Sequence, residues 1–157
     1  MKIKVRTYLI WIFSAEAVGL LAGFLTRRGT EIYGMTALKP PLTPPAIVFP
    51  IVWTVLYALM GISAAGIYCA PDSNERSRGL NIYIAQLIFN FFWSLIFFNA
   101  MAYGFVFVWI LALWGLILWM IVTFYKVDRT AALLQIPYFL WVTFAAYLNY
   151  GVWQLNR

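Results

Sequence analysis

The sequence predicts an all-α integral membrane protein, a bundle of five transmembrane helices, and three observations lead to it. Hydrophobic residues make up 64% of the 157 and charged residues only 10%, where soluble domains run at roughly 45–50% and about 25%. A soluble fold of this length has no interior large enough to hide that much apolar surface. Apolar runs recur five times, each long enough at about 1.5 Å per residue to cross a hydrocarbon core of roughly 30 Å. Polar and turn-forming residues gather between the runs, where loops belong. A single membrane domain covering residues 1–157 follows.

The first span is Tyr8 to Leu25, preceded by the basic stretch Met1 to Arg6. That start resembles a secretory leader, yet no small-residue cleavage site closes it before further spans follow, so it is expected as a retained helix. A connection of 20 residues, Thr26 to Pro45, comes next. Loops of that length in a compact protein are functional or disordered as a rule, and this one is a candidate lid. The second span, Ala46 to Cys69, ends in the polar turn Pro71 to Gly79. The third, Leu80 to Phe98, turns at Asn99 to Gly104 into the fourth, Tyr103 to Tyr125. The short charged turn Lys126 to Thr130 leads into the fifth, Ala131 to Trp153.

Charge placement predicts orientation. Lys2, Lys4, Arg6, Arg76, Arg78, Lys126 and Arg129 fall on the amino-terminal side, against Arg27, Arg28, Lys39 and Arg157 on the other. Seven against four puts the amino terminus in the cytoplasm and the long first loop outside. The formal charge of +6 comes from basic residues scattered singly or in pairs between spans. Topology and headgroup anchoring explain them, and no nucleic-acid partner is expected.

Several chemistries are excluded. Cys69 is the only cysteine, so neither an intrachain disulfide nor a cysteine metal cluster can form. There is no histidine, which removes a His-assisted nucleophile, a His-ligated zinc and the usual axial ligand of haem iron. No metal site is expected, no cofactor is required, and no hydrolase or NTPase signature is present.

Polar groups inside hydrocarbon are costly unless they face the bundle interior, so their spacing is informative. Gln86, Asn90 and Ser94 recur every four residues on the third span with Trp93 beside them; Trp53 and Tyr57 are four apart on the second; Pro137, Trp141, Ala145 and Asn149 repeat likewise on the fifth. Three helices thus offer faces mixing flat aromatic surface with a few hydrogen-bonding groups. Such faces suit a pocket for an apolar, planar ligand, and they equally suit helix packing with interhelical hydrogen bonds. Spacing alone leaves both open. Pro137, read as mid-helix, is expected to free the carbonyl of Leu133, kink the span and open room between helices. Glu16 is the only acid within a span, read either as a neutral carboxyl facing a neighbour or as a proton or cation site. Gly19 and Gly23 form a GxxxG pair that packs against a partner subunit or within the bundle.

Three blocks resemble one family. LKPPLTPPAIVFPIVWTVLYALMG from Leu38, QLIFNFFWSLIFF from Gln86 and IPYFLWVTFAAYLN from Ile136 are similar to the signatures of the TspO/MBR family, which comprises the tryptophan-rich sensory proteins and the translocator protein, or peripheral-type benzodiazepine receptor. The resemblance implies five helices around a pocket that binds porphyrins of the protoporphyrin IX type and, in animal members, cholesterol and synthetic drugs. It assigns Trp53 and Trp141 as paired pocket tryptophans, Asn90 and Ser94 as polar positions on the third helix, and Ala145 as the small residue beside the ligand. Tyr57 and Leu148 complete the wall, and Tyr33 reaches in from the first loop. Leu42 stands where the family usually carries tryptophan, and the spacing between Tyr33 and Lys39 is altered. The family's carboxy-terminal sterol pattern is missed by one residue at Leu148, Tyr150 and Arg157, while Val122, Tyr125 and Arg129 satisfy it in an unrelated turn. Sterol binding is therefore not expected.

By this resemblance the chain is a multi-pass receptor and regulator of porphyrin-type tetrapyrroles in a bacterial cell membrane, serving tetrapyrrole homeostasis or stress signalling. Its expected partners are porphyrin, membrane lipid and a second copy of itself. Without histidine the expected guest is metal-free porphyrin or haem without axial protein ligation. Two alternatives come with the family: light- and oxygen-dependent porphyrin breakdown, with Trp53 and Trp141 as catalytic residues, and transport of a hydrophobic ligand.

Overall fold

The computed structural model describes residues 2–157, with side chains from residue 4 onward. The described residues are helical apart from short connections: α1 (Lys2–Leu25), α2 (Arg27–Thr36), α3 (Val48–Tyr68), α4 (Asn74–Ser94), α5 (Tyr103–Tyr125), α6 (Arg129–Leu134) and α7 (Ile136–Leu155). A π-helical turn, Leu95–Ala100, extends α4, and Met101 closes it in the left-handed region at φ 51°. Five segments are long and apolar enough to cross a membrane, with α6 and α7 together making the fifth. The predicted fold class and number of spans stand.

Three local features differ from the sequence reading. The long first connection holds a ten-residue helix, α2. The third span begins six residues early, at Asn74, because Ser73 accepts a hydrogen bond from the backbone N–H of Arg76 at 3.1 Å and starts the helix among polar residues. Pro137 does not kink a continuous helix. The chain stops helical pairing at Leu134, turns at Gln135 and restarts with Pro137 in the first turn of α7, where a missing N–H costs nothing.

Within the bundle α1 packs on α3, α4 on α5, and α5 on α7. At Gly61 the backbones of α3 and α1 come close, since a Cβ there would lie 2.4 Å from Cα of Ile12. Gly19 faces the ring of Tyr57 inside the bundle, whereas Gly23 meets open space, so the GxxxG pair is split between interior and surface. The core runs through Met60 and Ala64 of α3, Tyr83 of α4, Ile117, Met120 and Phe124 of α5, and Tyr138 of α7. Phe13, Leu20, Phe105 and Val108 point outward instead, 60–74% exposed. Apolar outside with Gln86, Asn90, Gln135 and Asn149 buried inside is the arrangement a lipid solvent selects.

Candidate functional site

The candidate site lies where α3 runs antiparallel to α7. The backbones of these two helices approach closely at few points, so large side chains bridge the seam. Phe49 of α3 stands edge-on to Trp141 of α7, ring centres 5.9 Å apart and planes at 70°. One turn deeper, Trp53 meets Tyr138 at 6.2 Å and 69° and lies 5.6 Å from Tyr57. Deeper still the hydroxyl of Ser63 donates to the carbonyl of Ala131 at 2.7 Å. Both indoles are half-buried and pack against the main core.

Beside this ladder runs a neutral hydrogen-bond chain. The hydroxyl of Tyr57 donates to Asn90 Oδ1 at 3.3 Å, Asn90 Nδ2 donates to the hydroxyl of Tyr138 at 2.9 Å, and Tyr138 donates to Gln86 Oε1 at 2.7 Å. Tyr57, Asn90, Tyr138 and Gln86 are all buried. Hydrocarbon offers no alternative partners, so each member holds the next in place. Toward the first loop, Trp93 donates through Nε1 to Asn149 Oδ1 at 3.1 Å, and Asn149 Nδ2 donates to the carbonyl of Tyr103 at 3.1 Å.

The segment between α2 and α3 lies along the second half of α7 as a strap. Its prolines lack N–H groups, and the chain turns at Leu42, whose backbone lies in the left-handed region at φ 69°. Asn156 fastens one end, accepting from the Leu38 N–H at 2.9 Å and donating to the Leu38 carbonyl at 2.8 Å. The hydroxyl of Tyr147 donates to the carbonyl of Pro41 at 3.0 Å. Pro40 sits so close to Gly151 that a Cβ there would meet its ring at 2.5 Å. Residues 38–63 therefore pair with residues 156–131 in antiparallel order. Lys39 ties the strap to α2, its Nζ donating to the carbonyls of Tyr33 and Gly34 at 3.5 and 3.3 Å and to that of Ala37, just past the helix, at 3.2 Å, which gives two of the orphan carbonyls a partner.

Of the residues expected from the sequence, Trp53, Tyr57 and Asn90 converge, while Trp141 lies about one turn along α7 from Tyr138, edge-on to Phe49. Ala145 and Leu148 are buried on α7, and Ser94 is half-buried one turn beyond Asn90. Tyr33 is placed elsewhere. Its ring packs 5.2 Å from Phe97 and 5.5 Å from Phe98, in a second cluster completed by Val106 and Val152. Among the described residues no ring contact joins Tyr33 to either indole; Trp93, packed against both clusters, connects them. Burial pushes the Tyr33 phenol up to about 12, with Tyr103 adding to the shift, so it remains a neutral donor.

Tyr138 and Phe49 carry much of this geometry and were not singled out from the sequence. Both were findable: Phe49 is four residues before Trp53, and Tyr138 is three before Trp141 and seven before Ala145, hence on the same helical faces. Among the described residues no cluster of three or more acids or cysteines could hold a metal ion. Aromatic faces and neutral hydrogen-bonding groups are what the interior offers. Two surface grooves, of about 290 and 560 Å³, lie outside it.

Residues 10–154 match the model of the TspO/MBR family. The chain is 34% identical over 157 residues to the tryptophan-rich protein TspO of Chlorobaculum tepidum, covering 99% of each. It is 36% identical to the translocator protein of Ovis aries, over 76% of this chain and 72% of that protein. With the tryptophan-rich sensory protein of Cereibacter sphaeroides it shares 33% identity over 75% of this chain and 73% of the relative.

Proposed function

This chain belongs to the TspO/MBR family of multi-pass integral membrane proteins, and from that premise we propose that it is a membrane receptor and regulator for porphyrin-type tetrapyrroles, bound in the α3–α7 seam. The observation that carries the proposal is the aromatic ladder that brings Trp53 and Trp141 onto one seam beside the Asn90 chain. A flat macrocycle enters by turning the edge-on ring of Phe49 aside, which trades an edge contact for stacking on the Trp141 indole face, while Tyr138 keeps its hydrogen bonds. Asn90 and Ser94 then orient polar edges of the guest, while Ala145 and Leu148 give it apolar wall. The carboxylates of the guest face the strap side, where Lys39, Arg27 and Arg28 lie near the headgroups, because among the described residues no buried cation could neutralise them.

Binding of this kind needs no cofactor and, without histidine, favours a metal-free guest. The amino terminus lies on the cytoplasmic side of a bacterial cell membrane, with the strap outside. Titration of protoporphyrin IX into the purified protein tests the proposal through tryptophan fluorescence. Saturable quenching is expected at about micromolar concentration. Trp53→Leu and Trp141→Leu should each weaken it by roughly tenfold or more, as loss of a central aromatic anchor does. Equal affinity in both variants and the parent would overturn it.

One contact favours a second, enzymatic reading. Trp53 touches both Tyr57 and Tyr138, so an indole oxidised by a photoexcited porphyrin has phenols beside it to refill the hole. Illumination with protoporphyrin under oxygen separates the two, since a receptor alone yields the same product spectrum in parent, Trp53→Phe and Trp141→Phe.

A further inference from the structure

The larger of the two surface grooves lies outside the aromatic seam, between α4 and α5. Asn74, Ser77, Arg78 and Asn81 recur at three- and four-residue intervals, so the first two turns of α4 carry one polar face, and Ala85 continues the same stripe one turn further into the membrane. Antiparallel α5 brings Leu116 and Trp119 alongside, and together these residues line a groove of about 560 Å³, within the roughly 300–1,000 Å³ of small-ligand clefts. One end is polar and cationic. The other is apolar, with the small side chain of Ala85 leaving room beside Leu116.

The two neighbouring arginines differ in what they are free to do. Arg76 is committed: Nη1 donates to Asp72 at 2.9 Å, Nε and Nη2 donate to the carbonyl of Tyr68 at 3.1 and 2.7 Å, and its guanidinium covers the Tyr68 ring. It closes the end of α3. Arg78 has one charged neighbour among the described residues, Glu75 at 3.6 Å, too long for a hydrogen bond, and its side chain is 54% exposed. Its fork of N–H groups is available to an anion at the mouth of a groove whose far end is hydrocarbon. Trp119, 53% exposed, stands at the boundary between the two, the level at which indoles settle in a bilayer.

We propose that this groove binds an anionic phospholipid of the surrounding leaflet, with the phosphate on Arg78 and the hydroxyl and amide groups of Ser77 and Asn74, and one acyl chain lying along Ala85 and Leu116 past Trp119. A free phosphate would use only the polar end and a hydrocarbon only the apolar one. A lipid is the ligand whose chemistry changes along its length as the groove does. Arg78 makes the site selective for negative headgroups, and its guanidinium can take two phosphate oxygens at once.

Native mass spectrometry of the full chain, released from detergent after incubation with phosphatidylglycerol or chain-matched phosphatidylcholine, tests this directly. Phosphatidylglycerol adducts should survive activation better than phosphatidylcholine adducts. Arg78→Gln should lower the bound phosphatidylglycerol by about fivefold, the value of one basic residue at an anionic surface. Ala85→Phe, which fills the apolar half, should reduce retention of both lipids, and both variants should keep the parental melting curve by circular dichroism. Equal retention of the two lipids by the parent, or parental retention in both variants, overturns the proposal. So does efficient disulfide cross-linking of Asn81→Cys in a Cys69→Ser background within phosphatidylglycerol bilayers, because a second copy of the chain would then cover the groove.

Discussion

Asn90 donates to the hydroxyl of Tyr138 at 2.9 Å, and that same hydroxyl donates to Gln86 at 2.7 Å, so one phenol on α7 locks two polar residues of α4. Its removal has two separable costs. The two lost interhelical bonds are worth only about 0.6 kcal/mol each on the average for membrane bundles. Tyr138→Phe also leaves Asn90 Nδ2 and Gln86 Oε1 buried without partners, and an orphaned buried group costs about 1–3 kcal/mol. The second effect dominates. Tyr138→Phe should lower the Tm in detergent clearly more than Thr54→Val, which removes an exposed hydroxyl bonded to its own helix.

Backbone contact between α1 and α3 gives a second test. A methyl group at Gly61 would meet Cα and backbone N of Ile12 at 2.4 and 2.7 Å, and a helix backbone cannot yield without moving the whole helix. Gly61→Ala should therefore destabilise by about 1–3 kcal/mol. At Gly23, where nothing lies within 4 Å, the same change should be neutral or stabilising by up to about 1 kcal/mol, because glycine in a helix carries excess conformational entropy. Opposite shifts in thermal unfolding in micelles check the pair.

Phe49 offers a prediction about the guest. Its ring stands edge-on to Trp141 at the strap end of the seam, so Phe49→Ala should leave the hydrogen-bond chain intact while clearing the approach to the indole. Faster association of protoporphyrin in stopped-flow quenching is expected, with thermal stability slightly reduced. Slower association would mean that Phe49 holds the guest and does not obstruct it.

The spans were legible because a bilayer demands long apolar runs, and the runs Val48 to Tyr68 and Tyr103 to Tyr125 are nearly uninterrupted. The helix α2 was not. Its sequence, RRGTEIYGMT, carries two glycines and little apolar surface, and what holds it is tertiary: Tyr33 against Phe97 and Phe98, and Lys39 on its last carbonyls. The same tertiary packing explains why Tyr33, expected beside the indoles, faces the π-helical turn. Periodicity exposed Trp53, Tyr57 and Asn90 because their four-residue spacing marks a face. Tyr138, though its spacing places it on the face of Trp141 and Ala145, reads as ordinary core because the partner of its hydroxyl, Asn90 of α4, is set by packing.

The strap supplies the last test. Asn156 holds both backbone groups of Leu38, at 2.9 and 2.8 Å, and further along Tyr147 holds Pro41 at 3.0 Å. These bonds are exposed, so each contributes about 0.5–1.5 kcal/mol and neither is needed for the bundle to fold. Asn156→Ala should leave the Tm nearly unchanged yet ease local opening of residues 37–43, raising deuterium uptake there by at least about fivefold in rate. In the proposed seam site protoporphyrin would lie beneath this cover, so its dissociation should quicken in Asn156→Ala and more so when Tyr147→Phe is added. Faster exchange with an unchanged dissociation rate would show that the guest leaves by another route, sideways between α3 and α7 into the lipid.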